Sequence, residues 1–325
     1  MNRTVGWLNS WIKVKSSIMN LTTNNQQRIT KVSVIGSGTM GNGIAHVFAL
    51  SGYQVSLFDI SEEALSKAMK TISGNLDRQV SKTLITGEQK NSTLAAIKTY
   101  TNLSEAVANA ELVVEAATED KIIKLGIFKK LDEFSPEGCI LSSNTSSIPI
   151  HEIAKVTNRK DKVIGMHFMN PVPVMKLVEI VKAKDTSDDV CSFIKQITES
   201  LGKIPVLVND APGFISNRII MPMINEAIYA LQEGVGGVAE IDEIMKLGMA
   251  HPMGPLKLAD LIGLDVCVFI LNVLYEGFNK NPKYTPCSLL IEMVNAGEKG
   301  FKSGSGFYSY SNGGKDSLAA ERFRK

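Results

Sequence analysis

The run from Lys31 to Gly41 constrains this chain most. A short β-branched apolar stretch, Lys31-Val32-Ser33-Val34-Ile35-Gly36, passes directly into Gly36-Ser37-Gly38-Thr39-Met40-Gly41. A brief apolar run ending in glycine predicts a buried strand. Residues 42–50, closed by Gly52, predict a helix. Residues 54–58, closed by Asp59, predict a returning strand. A strand–helix–strand return requires parallel pairing. The chain is thereby committed to an α/β class built on a doubly wound, mostly parallel sheet.

The three glycines carry chemistry as well as shape. Gly36 allows a tight turn, Gly38 close approach of backbone to a pyrophosphate, and Gly41 close packing of helix on strand. The helix start adds unpaired N–H groups and a positive dipole end. Three glycines alone can be a simple turn, but here a strand precedes them and a helix follows, which is the context of a Rossmann-like dinucleotide site. Asp59 lies 23 residues after Gly36. An acid there accepts hydrogen bonds from a ribose and repels a 2′-phosphate, which predicts NAD over NADP. Asp59 could instead cap the following helix, a task Ser61 could do equally well.

Downstream, residues 61–97 read as a helical excursion, with Glu62, Glu63, Lys67 and Lys70 at helical spacings and a break at Gly87. Strands are predicted at 112–115, 139–142 and 163–168, and helices at 121–134 and 150–156. The segment 169–175 holds Pro171 and Pro173 and is too short for a crossover helix. Strands 163–168 and 177–181 are therefore expected to be antiparallel neighbours. A helix at 190–201 and a strand at 205–208 complete the sheet. After Pro212 the apolar stretches 214–231, 241–247, 256–274 and 289–294 are helical in pattern and strand signals end. The expected organisation is an extension at 1–30, a Rossmann-like NAD domain at 31–210, and an all-helical substrate and dimerisation domain at 211–325.

Composition excludes several classes. A net charge of +2 over 325 residues gives no pull toward nucleic acid. No apolar run reaches bilayer-spanning length. Cys139, Cys191, Cys267 and Cys287 form no CxxC pair, and His46, His151, His167 and His251 show no metal-ligand spacing, so no metal is expected. A reducing compartment fits, and the cytoplasm is the expected location. The first thirty residues hold Arg3, Lys13, Lys15 and Arg28 but no acid. They read either as a transit peptide to the mitochondrial matrix or as an upstream start or tail, with Met19 just before the domain proper. The few arginines favour the latter.

His167 and Glu179 are polar residues inside otherwise apolar strands. A hairpin centred near Pro173 puts them six residues either side, where they could face each other. An imidazole takes a proton from an alcohol while a carboxylate fixes its tautomer and stabilises the imidazolium. A hydrogen-bonded structural pair is the plainer reading, and the dinucleotide signature upstream favours catalysis. Ser142-Ser143-Asn144-Thr145-Ser146-Ser147 follows a strand, at the edge where such sheets bind ligands; Ser146 or Ser147 could equally cap the next helix. Asn217, early in the first helix after Pro212-Gly213, either reaches the cleft or lies on the surface.

These residues resemble the L-3-hydroxyacyl-CoA dehydrogenase family, most closely its short-chain 3-hydroxybutyryl-CoA branch. The resemblance rests on Val34-Ile35-Gly36-Ser37-Gly38-Thr39-Met40-Gly41, Ser143-Asn144-Thr145-Ser146-Ser147, His167-Phe168-Met169-Asn170-Pro171-Val172, Met175-Lys176-Leu177-Val178-Glu179, Pro212-Gly213-Phe214-Ile215-Ser216-Asn217-Arg218, His251-Pro252-Met253-Gly254-Pro255 and Gly304-Ser305-Gly306-Phe307-Tyr308. It spans residue 31 to about 311.

The resemblance implies an oxidoreductase of fatty-acid and butanoate metabolism that oxidises (3S)-3-hydroxyacyl-CoA with NAD. It implies His167 as base, Glu179 as its partner, and Ser146 and Asn217 on substrate. It places Asn170 and Glu119 at the nicotinamide end with Asn144 and Lys124 nearby, Lys302 toward the cofactor, Lys82 on CoA, and a homodimer through the helical part. The basic N-terminus has no counterpart in the family core, and His251 stands where some relatives carry another aromatic residue. A dehydrogenase of another small hydroxy acid, of gulonate or carnitine type, is the alternative on the same fold. A non-catalytic cofactor-binding relative is a further one, opposed by the joint presence of His167, Glu179, Ser146 and Asn217.

Overall fold

The computed structural model describes residues 29–310 and 318–324. The described residues from Lys31 onward belong to one compact unit. The predicted extension lies outside the described residues apart from Ile29 and Thr30.

Eight strands form one sheet: β1 (Lys31–Ile35), β2 (Gln54–Phe58), β3 (Ile97–Tyr100), β4 (Leu112–Glu115), β5 (Ile140–Ser143), β6 (Val163–Phe168), β7 (Leu177–Lys182) and β8 (Ile204–Asn209). Their order is β3-β2-β1-β4-β5-β6-β7-β8. Neighbours run parallel except β6 and β7, which are antiparallel as the short 169–175 link requires. The expected mostly parallel, doubly wound sheet with an antiparallel addition is thus present. Strands β4, β5 and β6 are buried along their whole length, which explains their continuous apolar reading.

One strand is a correction. The helical excursion expected over 61–97 ends in Ile97, and residues 97–100, for which no strand is predicted, form β3. β3 is an edge strand of four residues, and Lys98 and Thr99 in it are exposed. An edge strand with charge and little apolar surface leaves a weak signal.

The helices flanking the sheet are α1 (Thr39–Leu50), α2 (Glu62–Ser81), α3 (Gly87–Ala95), α4 (Leu103–Val107), α5 (Lys121–Phe134), α6 (Ile150–Ala154) and α7 (Asp188–Ser200). Side chains start several of them. Ser61, Asn102, Asp120 and Ser187 each accept a first-turn N–H, and Thr86 with Gln89 forms a reciprocal capping box. Ile35, Val113, Leu141, Val163, Phe128 and Leu131 lie in one apolar core against the sheet.

After residue 212 come α8 (Ser216–Gln232), α9 (Val238–Gly248), α10 (Pro255–Ile262), α11 (Leu264–Gly277) and α12 (Ser288–Asn295). Met221, Ile224, Ile228, Leu256, Leu264, Leu271 and Leu274 form a second core. The stretch 256–274, continuous in the sequence reading, breaks at Gly263, where φ is +102° and the chain bends by 96°. Only glycine adopts that conformation readily. The segment 300–310 then folds on itself through short bridges, Gly300 to Ser305 and Ser305 to Ser309, as an addition to the helices. Asp260, fully buried, holds it by accepting from Phe307 N, Tyr308 N and the Tyr310 hydroxyl. No single described helix is long and apolar enough to cross a membrane.

Candidate active site

The glycine loop has three distinct environments. Gly36 turns with φ +97°, and a Cβ there would lie 2.6 Å from Ala117 Cα. A Cβ on Gly41 would sit 1.8 Å from the Gly36 carbonyl oxygen, so α1 packs directly on the turn. A Cβ on Gly38 would meet nothing within 4 Å. That open space lies at the start of α1, which has no side-chain cap. Uncapped N–H groups at an open glycine are what a pyrophosphate needs. Thr39 is exposed and Met40 half-buried in the first turn. Asp59 Oδ2 accepts from both Ser37 N and Ser37 Oγ at 2.8 Å. Ser61, not Asp59, caps α2, accepting from Ala64 N. The acid therefore stands at the glycine loop, and the residues present fit a dinucleotide.

His167 and Glu179 are register partners across β6 and β7. His167 Nδ1 lies 2.8 Å from Glu179 Oε2, and both residues are buried. Glu179 is held from its far side as well: Ser216 N and Ile215 N donate to Oε1 at 3.0 and 3.3 Å, and Ser216 Oγ to Oε2 at 2.8 Å. Burial pushes the carboxyl up, but the bonds from His167 and Ser216 outweigh it and hold Glu179 below the usual carboxylate value. The Phe214 ring lies 5.7 Å from the imidazole, covering it with apolar surface.

Asn217 follows Ser216, and its Nδ2 donates to the Ser146 carbonyl at 3.2 Å. One chain of contacts thus joins His167, Glu179, α8, Asn217 and Ser146. Ser146 donates through both N and Oγ to Glu119 Oε1, at 2.6 and 2.7 Å, and Thr145 Oγ1 donates to Glu119 Oε2. Neither Ser146 nor Ser147 caps α6. Asp210 does so, accepting from Ile150 N and His151 N. Asn144 Oδ1 accepts from Phe168 N at 2.9 Å, tying the end of β5 to the residue after His167.

Lys124 is 1% exposed and ion-paired with the buried Glu115, with Glu119 3.9 Å away. It lies behind Glu119 rather than on an open surface. Asn170 is exposed in the loop between β6 and β7. Lys82 is exposed at the end of α2, and Lys302 pairs with Asp265 at 2.6 Å. No metal-holding cluster occurs among the described residues.

Ser216, Phe214, Glu115 and Thr145 carry no role in the sequence reading. Glu115, an acid inside an apolar strand, is a readable signal of a buried partner. Ser216 shows only helix-start chemistry, and nothing local points to a carboxylate 37 residues away.

The model of the 3-hydroxyacyl-CoA dehydrogenase NAD-binding domain matches residues 31–211, and that of the family's C-terminal domain matches 213–310. A probable 3-hydroxybutyryl-CoA dehydrogenase of Bacillus subtilis is 49% identical over 282 residues, which is 87% of this chain and 98% of that protein. The 3-hydroxybutyryl-CoA dehydrogenase of Bradyrhizobium diazoefficiens is 50% identical over 282 residues, 87% of this chain and 96% of that protein. The crystal structure of (S)-3-hydroxybutyryl-CoA dehydrogenase from Ralstonia eutropha superposes with a TM-score of 0.84 at 47% identity, covering 88% of this chain and all of that one. With the glycine loop, the paired His167 and Glu179 and both family domains in place, the chain belongs to the 3-hydroxyacyl-CoA dehydrogenase family.

Proposed function

We propose that this chain catalyses the NAD-dependent oxidation of (3S)-3-hydroxyacyl-CoA, 3-hydroxybutanoyl-CoA foremost, to the 3-oxoacyl-CoA, and the reverse. The observation that carries this reading is the buried His167–Glu179 pair. An ionised carboxylate at Nδ1 keeps the proton on that nitrogen, so Nε2 carries the lone pair. His167 Nε2 takes the proton of the 3-hydroxyl as hydride leaves C3, and Glu179 stabilises the imidazolium. Bound NAD supplies the hydride acceptor. Ser146 and Asn217, already in contact, hold the hydroxyl and thioester end.

Gly36, Ser37, Gly38, Thr39, Met40 and Gly41 cradle the pyrophosphate and Asp59 the ribose. Asn144, Glu119 and Asn170 line the nicotinamide end, Lys124 steadies Glu119, and Lys302 reaches toward the cofactor. Lys82 meets CoA. The proposal includes an NAD domain at 31–210 and a helical domain at 211–325.

A homodimer through the helical part is also proposed, supported by exposed apolar side chains there: Ile219, Ile244, Leu247, Met249 and Phe269. A cytoplasmic location is also proposed; the four buried cysteines, all free, support a reducing compartment.

The test is NADH consumption with acetoacetyl-CoA, beside NADPH and free acetoacetate. Turnover confined to NADH with the CoA ester supports the reading. NADH binding without turnover of the ester overturns it.

A further inference from the structure

The loop between β6 and β7 carries Asn170 and is gripped from two sides. It closes on itself, with Val174 N and Met175 N both donating to the Pro171 carbonyl at 3.0 Å. Two further carbonyls, Val172 O and Met175 O, accept from one ammonium, Lys203 Nζ, at 2.6 and 2.7 Å. Lys203 is 8% exposed and sits between α7 and β8, where Gly202 turns the chain with φ +70°. On the other side the loop presses on α1. A Cβ at Gly43 would lie 2.8 Å from Val172 Cβ and 3.5 Å from Pro173 Cδ.

Nothing in the sheet requires a cation at Lys203. The β7–β8 pairing is made by main chain, starting with Ile204 N to the Lys176 carbonyl at 2.8 Å. Burial of an ammonium is costly and lowers its pKa. What the ammonium adds is two charge-assisted hydrogen bonds to carbonyls that otherwise have no partner inside the loop. The loop's far ends run into His167 on β6 and Glu179 on β7, but that pair has its own brace in Ser216. The part of the loop that depends on Lys203 is therefore its middle, next to Asn170.

We propose that Lys203 is a positioning residue for the cofactor: its ammonium clamps the 170–175 loop against the glycine-loop helix, so that Asn170 is held at the nicotinamide end. The inference rests on the dinucleotide reading of the site. It predicts a split. Substrate contacts at Ser146 and Asn217 lie on other elements, so loss of the clamp weakens cofactor use and spares the acyl-CoA.

The experiment compares wild type with Lys203→Met, Lys203→Gln and Lys203→Arg. Michaelis constants for NADH and acetoacetyl-CoA, NADH dissociation constants by fluorescence titration, and thermal midpoints are measured. Misplacing a positioning element by about 1 Å costs up to roughly 100-fold in rate. The expected result for Met and Gln is an NADH constant raised about tenfold, with that for acetoacetyl-CoA within about twofold. Arg, which keeps charge and donors, falls between these and wild type. Equal changes in both constants overturn the proposal, as does a lowered melting point with kinetics and NADH affinity intact. If Met does not fold, Gln and Arg carry the same comparison. An inactive wild type refutes the acyl-CoA reading, and the NADH titration still decides the role of Lys203.

Discussion

Glu179 stands opposite His167 in the β6–β7 register, and its carboxylate takes Nδ1 on one side and the start of α8 on the other. The acid thus orients the base and ties the strand pair to the helix that presents Asn217. Glu179→Gln offers an amide in place of the carboxylate. Its NH2 group facing Nδ1 drives the imidazole to the other tautomer, with Nε2 protonated. The expected result is a fall in kcat of about 10²–10⁴-fold, with the NADH Michaelis constant within about twofold. Near-normal kcat would show that the carboxylate does not set the tautomer.

The same carboxylate gives the fold a pH signature. Its folded pKa is below the ordinary 4.5, so its stabilisation is fully present above pH 4.5 and is lost as pH falls through the lower folded value. Asp260 works in the opposite sense. Burial pushes it up to about 6, so its contribution declines as pH rises from 3.8 through about 6. Comparing wild type with Glu179→Gln cancels Asp260. The difference in melting temperature is expected to be largest above pH 4.5 and to shrink below it. A difference that stays constant with pH contradicts the assignment.

The glycines separate folding from binding. Gly41→Ala drives a methyl into the Gly36 carbonyl and is expected to cost several kcal/mol of stability, about the range of severe core overpacking. Gly38→Ala meets no protein atom, so the melting point is expected to hold while NADH affinity falls about tenfold or more, roughly 1.4 kcal/mol. Unchanged NADH affinity in Gly38→Ala would remove the pyrophosphate from this loop.

Asp59→Ser removes the charge that faces a 2′-phosphate. NADH use is expected to weaken and the preference for NADH over NADPH to fall by about tenfold, near 1.4 kcal/mol. If the ratio does not move, Asp59 acts only as a brace for Ser37.

The strand–glycine–helix unit and the His167–Glu179 pairing were legible because each is governed by local periodicity and chain length. Two prolines in a short link leave only a hairpin, and a hairpin sets the register. β3 was not legible, since an edge strand needs little apolar surface. The break at Gly263 was hidden because apolar periodicity continues on both sides, and only φ reveals the bend. The partners of the site residues were the least visible part. That Ser216 closes on Glu179, Glu119 on Ser146, and Asp210 on α6 depends on contacts between distant segments. Composition and spacing carry no such information.

The most direct measurement is kcat of His167→Gln for NADH oxidation by acetoacetyl-CoA, with NADH affinity measured on the same sample. If His167 exchanges the proton with the 3-oxygen, kcat falls by about 10²–10⁴-fold while NADH binds as in wild type. Near-normal turnover would show that another group moves the proton and would contradict the account.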